Sequence, residues 1–261
     1  MRALSIAATG MDAQQTRVEV ISNNLANMNT TGYATRRAEF ADLHYQLVRP
    51  AGASSSSAGT IVPEGVQIGL GVRAASISMD MAQGTLKNTA GDLDIAIEGK
   101  GFFEVALPSG DSAYTRDGAF KRSADGLVVN GDGFALAGNL TIPDNARSIT
   151  INADGDVFAY FDGQAGGQQI GTITIVSFSN AKGLEPLGGN LYRQTEASGN
   201  PIPGAAGVDG RGTLRQGYLE ESNVDVVQQI AELIEAQRGY ELNSKVISAA
   251  DQMMGATTQI R

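Results

Sequence analysis

The sequence predicts a mainly β protein with one long helix at each end, the two helices together forming a discontinuous coiled-coil domain. Apolar residues repeat every seven positions near both ends of the 261-residue chain, but not in the middle. The middle is rich in glycine, and Asp-Gly and Asn-Gly turn signals separate its short β-branched runs. A long helical pattern is absent there. This favours an all-β sandwich or distorted barrel over alternating βαβ units.

The N-terminal helix of the inner domain is predicted over residues 1–32. Gly32 stands where a left-handed C-terminal cap belongs. The apolar stripe of this helix, which we interpret as an assembly interface, consists of Leu4, Met11, Val18, Ile21, Leu25 and Met28. Three asparagines disfavour a helix interior and are interpreted as polar residues that set the pairing register: Asn23, Asn24 and Asn27.

Residues 33–90 are predicted to connect this helix to the middle domain. They include a flexible excursion over residues 45–67, in which alanine, serine and glycine dominate between Pro50 and Pro63. From Val72 to Met79, small and apolar residues alternate as they do in a strand. Residues 91–216 form the predicted all-β middle domain, with strand-like runs at 93–97, 102–105, 127–129 and 173–176.

The C-terminal helix of the inner domain is predicted within residues 217–261, with Ser222 and Asp225 as a capping box. Its apolar stripe consists of Val226, Ile230, Leu233, Tyr240, Ile247 and Met254. Polar residues interrupt the stripe and are interpreted as setting register: Gln237, Ser244 and Asp251. The alternative is a loosely amphipathic helix that covers the chain's own β domain.

Gly10 and the asparagine cluster give the N-terminal helix a poor helix propensity for its length, and isolated helices gain most of their stability from packing. We therefore predict that both terminal segments are largely disordered in the dilute monomer and fold when subunits associate.

The sequence offers no catalytic, cofactor-binding or metal-binding constellation. The chain has no cysteine and one histidine, His44, without a nucleophile or acid in a triad-like arrangement. A loose dinucleotide-loop pattern at 69–74 lacks a following helix, and the aspartate turns near 130–133 and 154–156 lack the twelve-residue calcium loop. We therefore expect no enzyme activity and no cofactor.

The formal net charge of -9 argues against nucleic acid and anionic lipid as partners, because such binding depends on phosphate neutralisation. The N-terminal sequence breaks its short apolar stretch at Gly10 and Asp12, so neither a secretory signal nor a membrane span is predicted.

Specific sequence motifs at both ends of the chain resemble those of the bacterial flagellar rod and hook family. The N-terminal part of this resemblance lies in Ala7–Met11, Ile21–Asn27 and Asn29–Tyr33, and the C-terminal part in Gly217–Glu220, Ser222–Asp225 and Ala236–Arg238. In the middle, Gly99–Phe103 and Tyr114–Gly118 look like the β domain of these subunits. The resemblance covers nearly the whole chain.

Within the family, the length and the 45–67 segment resemble distal-rod subunits. The resemblance implies a helical homopolymer in the periplasm that joins proximal rod subunits to hook subunits and turns inside outer ring proteins acting as a bushing. It also implies export by the flagellar type III apparatus without a cleaved signal peptide. We interpret the 45–67 segment, with Tyr45, Arg49, Pro50 and Pro63, as stiffening the rod.

Three other interpretations remain open at this stage. A proximal rod or hook subunit of the same family differs in length and in the 45–67 segment. A secreted β-rich adhesin or polysaccharide-binding protein explains the glycine-rich middle and the acidic charge, but not the two heptad repeats. An enzyme would have only carboxylates, lysines or hydroxyls for its chemistry.

Overall fold

A computed structural model describes residues 2–51, 64–163 and 166–259. The chain divides into two compact units. The first, which we call the helical unit, comprises Met1–Leu25, Arg36–Ser78 and Val226–Arg261. The second, which we call the β unit, comprises Ala26–Thr35 and Met79–Asp225. Both units are therefore discontinuous in sequence.

The helical unit is built from both chain ends and one internal segment. Its elements are α1 (Arg2–Ala26), β1 (Arg36–Asp42), β2 (Tyr45–Arg49), β3 (Val66–Gly69), β4 (Val72–Met79) and α2 (Val226–Gln259). Strand β1 pairs with β4, and β2 pairs with β3 as an antiparallel hairpin. The predicted strand over Val72–Met79 is confirmed by β4, whose last residue falls in the β unit.

Two helix boundaries differ from the sequence prediction. Helix α1 ends at Ala26, six residues before Gly32, because the asparagine-rich segment turns back on itself and the Thr30 amide donates to the Asn27 carbonyl at 3.1 Å. Helix α2 begins at Val226, so Asp225 rather than Ser222 occupies the N-cap position. The Ser222 hydroxyl instead accepts the Val224 amide at 3.4 Å.

The predicted excursion at 45–67 also differs from the sequence interpretation. Its two arms are not free chain, because they pair as strands β2 and β3 with Tyr45 opposite Gly69 and Arg49 opposite Val66. Backbone hydrogen bonds between the arms supply the order that the composition did not indicate. Residues 52–63, with Pro63 and the four serines, lie outside the described residues.

Sixteen strands of the described residues lie in the β unit. They are β5 (Leu86–Asn88), β6 (Ile95–Glu98), β7 (Phe103–Ala106), β8 (Ser112–Thr115), β9 (Lys121–Arg122), β10 (Val128–Val129), β11 (Ala135–Leu136), β12 (Ala146–Ile151), β13 (Asp156–Phe161), β14 (Gln168–Thr172), β15 (Ile175–Ser177), β16 (Glu185–Gly188), β17 (Leu191–Arg193), β18 (Ile202–Gly204), β19 (Thr213–Gln216) and β20 (Tyr218–Glu220). A short 3-10 helix spans Ala181–Gly183.

These strands form open sheets in the described ranges rather than a closed barrel. The largest sheet has seven strands in the order β16-β17-β8-β7-β11-β10-β9, and a second has the order β12-β13-β14. Three pairs complete the unit: β15 with β18, β19 with β6, and β20 with β5. The mainly β fold with terminal helices is therefore confirmed, while the coiled coil and the sandwich remain predictions.

The strand-like runs of the sequence supply the core of the β unit. Ile95, Phe103, Val105 and Ile175 are fully buried, and Phe103 packs edge-to-face on Phe120 with ring centroids 5.1 Å apart. A second cluster gathers further aromatic and aliphatic side chains, among them Phe102, Tyr114, Val176, Leu184 and Tyr192. Together these clusters make the β unit a packed body in its own right.

Candidate assembly interface

Helices α1 and α2 lie antiparallel within the helical unit. Arg17 forms an ion pair with Glu235 at 3.1 Å, and the Asn24 side chain donates to the Gln229 side chain at 2.9 Å. Gly10, near the start of α1, faces Asn243. Contacts therefore move towards the start of α2 as they move towards the end of α1, which defines an antiparallel pair.

Small and amide residues form the contact line between the helices, which we call the small seam. On α2, Gln229, Ala236 and Ala250 are buried, and Asn243 continues their seven-residue spacing. A Cβ on Gly10 would lie 2.9 Å from the Asn243 amide nitrogen, and one on Gly239 would lie 3.1 Å from Gln14 Cδ. At these two points the helices approach closely because a glycine on one helix faces an amide side chain on the other.

Most of the predicted apolar stripe lies beside the small seam. Ile21 is buried, and eight other members are half-buried: Leu4, Met11, Val18, Leu25, Val226, Leu233, Ile247 and Met254. Three members are exposed: Met28, Ile230 and Tyr240. The seven-residue period on α2 is present, but its fully buried line falls three residues later than the stripe read from the sequence. That line carries alanine and amide side chains rather than large apolar ones.

Large apolar side chains remain exposed on α2. Leu242 is 62% exposed, and Ile230, Ile234, Tyr240 and Val246 are each between 45% and 48% exposed. A cleft of about 410 Å³ separates the helices and is lined by Gln15, Val18, Glu19, Gln237, Tyr240 and Glu241. A second cleft of about 440 Å³ includes Ile234 and Leu242 in its wall. A helix that is apolar on several faces is typical of one that is buried in a larger assembly.

Asn24 is the predicted register residue that the helical unit buries most completely. Its side chain is 1% exposed, and besides Gln229 it donates to the Arg36 carbonyl at 2.8 Å and accepts the Arg36 amide at 2.9 Å. Asn23, Gln237, Ser244 and Asp251 are exposed, and Asn27 is half-buried. Sequence reasoning missed Gln229 and Asn243. Their spacing with Ala236 and Ala250 was the signal that could have found them.

The β2–β3 hairpin exposes apolar side chains on both faces. Tyr45, Leu47 and Val48 on β2 are 54% to 59% exposed, and Val66 and Ile68 on β3 are 43% and 37% exposed. Arg49 and Pro50 are exposed at the end of the same strand. Backbone hydrogen bonds from the Leu43 amide to the Gly71 carbonyl and from the Leu70 amide to the His44 carbonyl connect this hairpin to the β1–β4 pair, while its apolar side chains remain exposed.

His44 lies in the turn between β1 and β2, where it lines a cleft of about 260 Å³ with Asp42, Tyr45 and Arg73. The hydrogen bond from the Tyr45 hydroxyl to Asp42 raises the pKa of that phenol, and the Asp42 charge adds to the effect. No group of three His, Asp or Glu side chains able to hold a metal ion occurs in the described part of the chain.

In the β unit, a buried ion pair joins two motifs that are far apart in sequence. Arg116 Nε and Nη2 lie 2.8 Å and 2.7 Å from the Glu220 carboxylate, and these residues are 8% and 4% exposed. Arg116 also donates to the carbonyls of Gly99 and Gly101. Glu220 accepts the Gly84 amide at 2.9 Å, so both charges are extensively hydrogen-bonded.

Gly32 rests directly on the backbone beside Arg116. Its φ angle is +66°, and an added Cβ would lie 2.9 Å from the Arg116 carbonyl carbon and the Asp117 amide nitrogen. Its own amide donates to the Glu220 carbonyl at 2.8 Å. The left-handed conformation predicted for Gly32 is present, although close backbone contact requires glycine here and no helix ends at this point.

Asp117 occupies a polar junction behind this contact. Burial raises the pKa of its carboxyl, and the nearby charges of Asp94 and Asp132 raise it further. Hydrogen bonds from the Ala119 amide and the Asn190 side chain oppose the shift. Asn190 also donates to the Thr31 carbonyl at 3.0 Å, so this junction helps hold the segment that follows α1.

No helix in the described ranges is both long enough and apolar enough to cross a membrane.

Comparisons with known proteins agree with the positions of these features. Three family models match: the flagella basal body rod protein over residues 4–33, the flagellar hook protein FlgE/F/G D1 domain over 96–159, and the flagellar basal body rod FlgEFG protein C-terminal over 215–260. The flagellar basal-body rod protein FlgG of Caulobacter vibrioides is 52% identical over 261 residues, which is the full length of both chains. The chain belongs to the flagellar rod and hook family.

Two further relatives lie at different distances from this rod-family protein. The flagellar basal-body rod protein FlgG of Agrobacterium fabrum is 50% identical over 97% of each chain. The solved structure of the Helicobacter pylori flagellar hook protein FlgE2 is 17% identical with a TM-score of 0.25, covering 71% of this chain and 43% of that one.

Family membership identifies this rod-family protein as a structural component of the flagellar basal body and implies self-assembly. The family is structural rather than enzymatic. The N-terminal rod model covers most of α1 and Gly32. The C-terminal model begins within β19 and covers Glu220 and α2. The matched ends are thus the segments that build the helix pair and the contacts around Glu220.

Proposed function

We propose that the protein is the structural subunit of the distal rod of the bacterial flagellar basal body. It polymerises into a rigid helical tube in the periplasm, joins proximal rod subunits to hook subunits, and carries torque from motor to hook. The tube provides the channel for later subunits and rotates inside the outer ring proteins. The flagellar type III apparatus exports the chain. The full-length similarity to basal-body rod proteins supports the rod role.

The exposed apolar side chains of α2 carry this proposal. The small seam occupies the line along which α2 meets α1, so Ile234, Leu242 and Val246 are left on the outside of the pair. Helices of neighbouring copies are the proposed covering surface for these side chains. In this proposal the half-buried stripe residues form the rims of the same interface, and the pairing is a coiled coil between subunits.

The small seam also supports folding on association. Alanine, glycine and amide side chains bury little apolar area, so the pair gains little hydrophobic stabilisation on its own. Neighbouring subunits supply the missing apolar contacts. We therefore retain the proposal that the terminal helices become ordered in the polymer. Exposed Gln237, Ser244 and Asp251 then set the register between subunits rather than within one.

We assign the stiffening of the rod to the β2–β3 hairpin. Its exposed apolar side chains lie on both faces, so it can be covered from two sides by neighbouring copies. A hairpin wedged between copies resists their relative sliding, because sliding would return those side chains to water. Tyr45, Arg49 and Pro50 belong to this segment. Pro63 is part of the same proposal but lies outside the described residues.

Replacing Leu47 and Val48 together by serine tests the stiffening role. Burial of two such side chains contributes about 3–5 kcal/mol, so the variant rods should assemble but bend more. The measurement is the persistence length of isolated rods in electron micrographs. The matched control replaces both residues by isoleucine, which keeps an apolar surface. Serine-variant rods that are as straight as wild type would exclude the hairpin as the stiffening element.

The location of the subunit tests the function itself. A tagged copy should appear in isolated basal bodies between the proximal rod and the hook, when it is expressed in a flagellated bacterium whose own distal-rod gene is deleted. Electron microscopy with label against the tag measures the position. Label confined to the hook or to the proximal rod would favour the other members of the family, and label absent from the basal body would reject the proposal.

A further inference from the structure

The chain enters and leaves the β unit through four covalent passages. It enters at Ala26, leaves after Thr35, returns at Met79 and leaves again after Asp225. Three segments beside these passages meet within the β unit, although they are far apart in sequence. The Asp80 amide, for example, donates to the Thr35 carbonyl at 2.8 Å. Thr35, Asp80 and Asn223 therefore lie beside three of the four passages.

A single side chain, that of Asn223, gathers the three segments. Its Oδ1 accepts the Thr35 amide at 2.7 Å and the Thr35 hydroxyl at 2.6 Å. Its Nδ2 donates to the carbonyls of Asp80 at 2.9 Å and Ala82 at 2.8 Å. An asparagine amide has two acceptor positions and two donor hydrogens, and all four are used here. The backbone amide of Asn223 also donates to the Tyr33 carbonyl at 3.4 Å.

Asparagine is the residue type that these contacts require. Aspartate at this position would present carboxylate oxygens to the carbonyls of Asp80 and Ala82 and would lose both donated bonds. Serine has a single hydroxyl and is too short to serve both sides. The side chain is half-buried, which reduces competition from water. The clasp therefore depends on one amide rather than on general polarity.

We propose that Asn223 is a positioning residue that makes three of these passages, those at Thr35, Met79 and Asp225, act as one stiff element in the assembled rod. This inference rests on the proposed rod function. A single extended strand of chain bends and twists easily, because its φ and ψ angles are free to change. Three segments joined by the four hydrogen bonds of the Asn223 side chain share the load, and bending any one segment requires breaking its bonds to the others. Asn223→Ala should leave a rod that assembles but is more compliant.

Hydrogen exchange of the full-length subunit, followed by mass spectrometry or NMR, tests the clasp directly. In Asn223→Ala, the amides of Thr35 and Asp80 should exchange about tenfold faster or more. Local opening of these segments becomes easier, because the hydrogen bonds to the Asn223 side chain no longer have to be broken. The Val105 amide, in the core of the β unit, should keep its wild-type rate. The matched control is Asn180→Ala, which removes an exposed asparagine that makes a single hydrogen bond to the Ala197 carbonyl in the same unit. Thr35→Val, which removes only the hydroxyl bond, should give a smaller change in the same direction.

The rods provide the second measurement. Rods of Asn223→Ala should form and show a shorter persistence length than wild-type or Asn180→Ala rods. Unchanged exchange at Thr35 in Asn223→Ala, or faster exchange with unchanged rod stiffness, would overturn the inference. If Asn223→Ala fails to fold, the exchange and stiffness of Thr35→Val decide it by the same criteria. Failure of the wild-type chain to form rods at all would instead reject the proposed function, while the exchange result would still report on the clasp.

Discussion

Replacing Leu242 by aspartate should prevent polymerisation at concentrations where the wild-type chain assembles, while leaving the subunit folded. Leu242 is 62% exposed in the single chain, so the charge costs little there. In the proposed polymer the same position is covered by a neighbouring helix, where an unpaired charge costs roughly 3 kcal/mol or more. At 1.4 kcal/mol per tenfold, the critical concentration for assembly should rise by about a hundredfold or more. Sedimentation of purified subunits over a concentration series measures it.

Leu242→Met is the matched control, since it preserves the volume and apolar character of the side chain. It should polymerise close to the wild-type concentration. Near-ultraviolet circular dichroism should change little in both variants, because five of the seven tyrosines belong to the β unit and Leu242 to the helical unit. Normal assembly of the aspartate variant would show that this face of α2 is exposed to solvent in the polymer, and the helix-pair interface would have to lie elsewhere.

Replacing Arg116 by methionine should destabilise the β unit by about 3–5 kcal/mol, because it leaves the Glu220 carboxylate buried without its cation. The carbonyls of Gly99 and Gly101 lose their donors at the same time. Urea unfolding of the purified subunit, followed by near-ultraviolet circular dichroism, gives the free energy of unfolding. Rod assembly should fail at temperatures where the variant β unit unfolds.

The chain supplies a matched ion pair for comparison. Arg193 and Glu185 also lie 2.7 Å apart, but their side chains are 56% and 50% exposed. Arg193→Met should therefore change the free energy of unfolding by about 1 kcal/mol or less. The double variant Arg116→Met with Glu220→Leu should recover part of the loss, because the orphaned charge is gone. Equal effects at the two arginines would mean that burial does not set the importance of the Arg116 pair.

Most strands of the β unit could be predicted from the sequence. Runs such as Phe102–Val105 and Ile173–Val176 predicted buried strands, and Phe103, Val105 and Ile175 are fully buried. The pairing of β2 with β3 could not be predicted in the same way. Its arms are separated by a stretch rich in serine and glycine, and composition alone indicated flexible chain. Pairing across such a distance is a tertiary event that local propensity does not encode.

The helix pair shows the same division at the level of single residues. The seven-residue repeat predicted that α2 pairs with another helix, but large residues at one phase and small residues three positions later both satisfy that repeat. The structure places Gln229, Ala236 and Ala250 in the buried line, so the large residues at the other phase of α2 are half-buried or exposed. Asn24 was predicted to set register, but its partners Gln229 and Arg36 could not be read from the sequence.

The sequence by itself determined that the chain is mainly β with terminal helices and belongs among the flagellar rod and hook proteins. Those conclusions rest on the seven-residue apolar repeats, the turn residues and the specific sequence motifs at the chain ends, all of which are local properties of the chain. Only the tertiary structure decided that Glu220 is buried against Arg116, and that Asn223 binds Thr35, Asp80 and Ala82. These hydrogen bonds and this ion pair join residues a hundred or more positions apart, and the distances between such residues are set by folding.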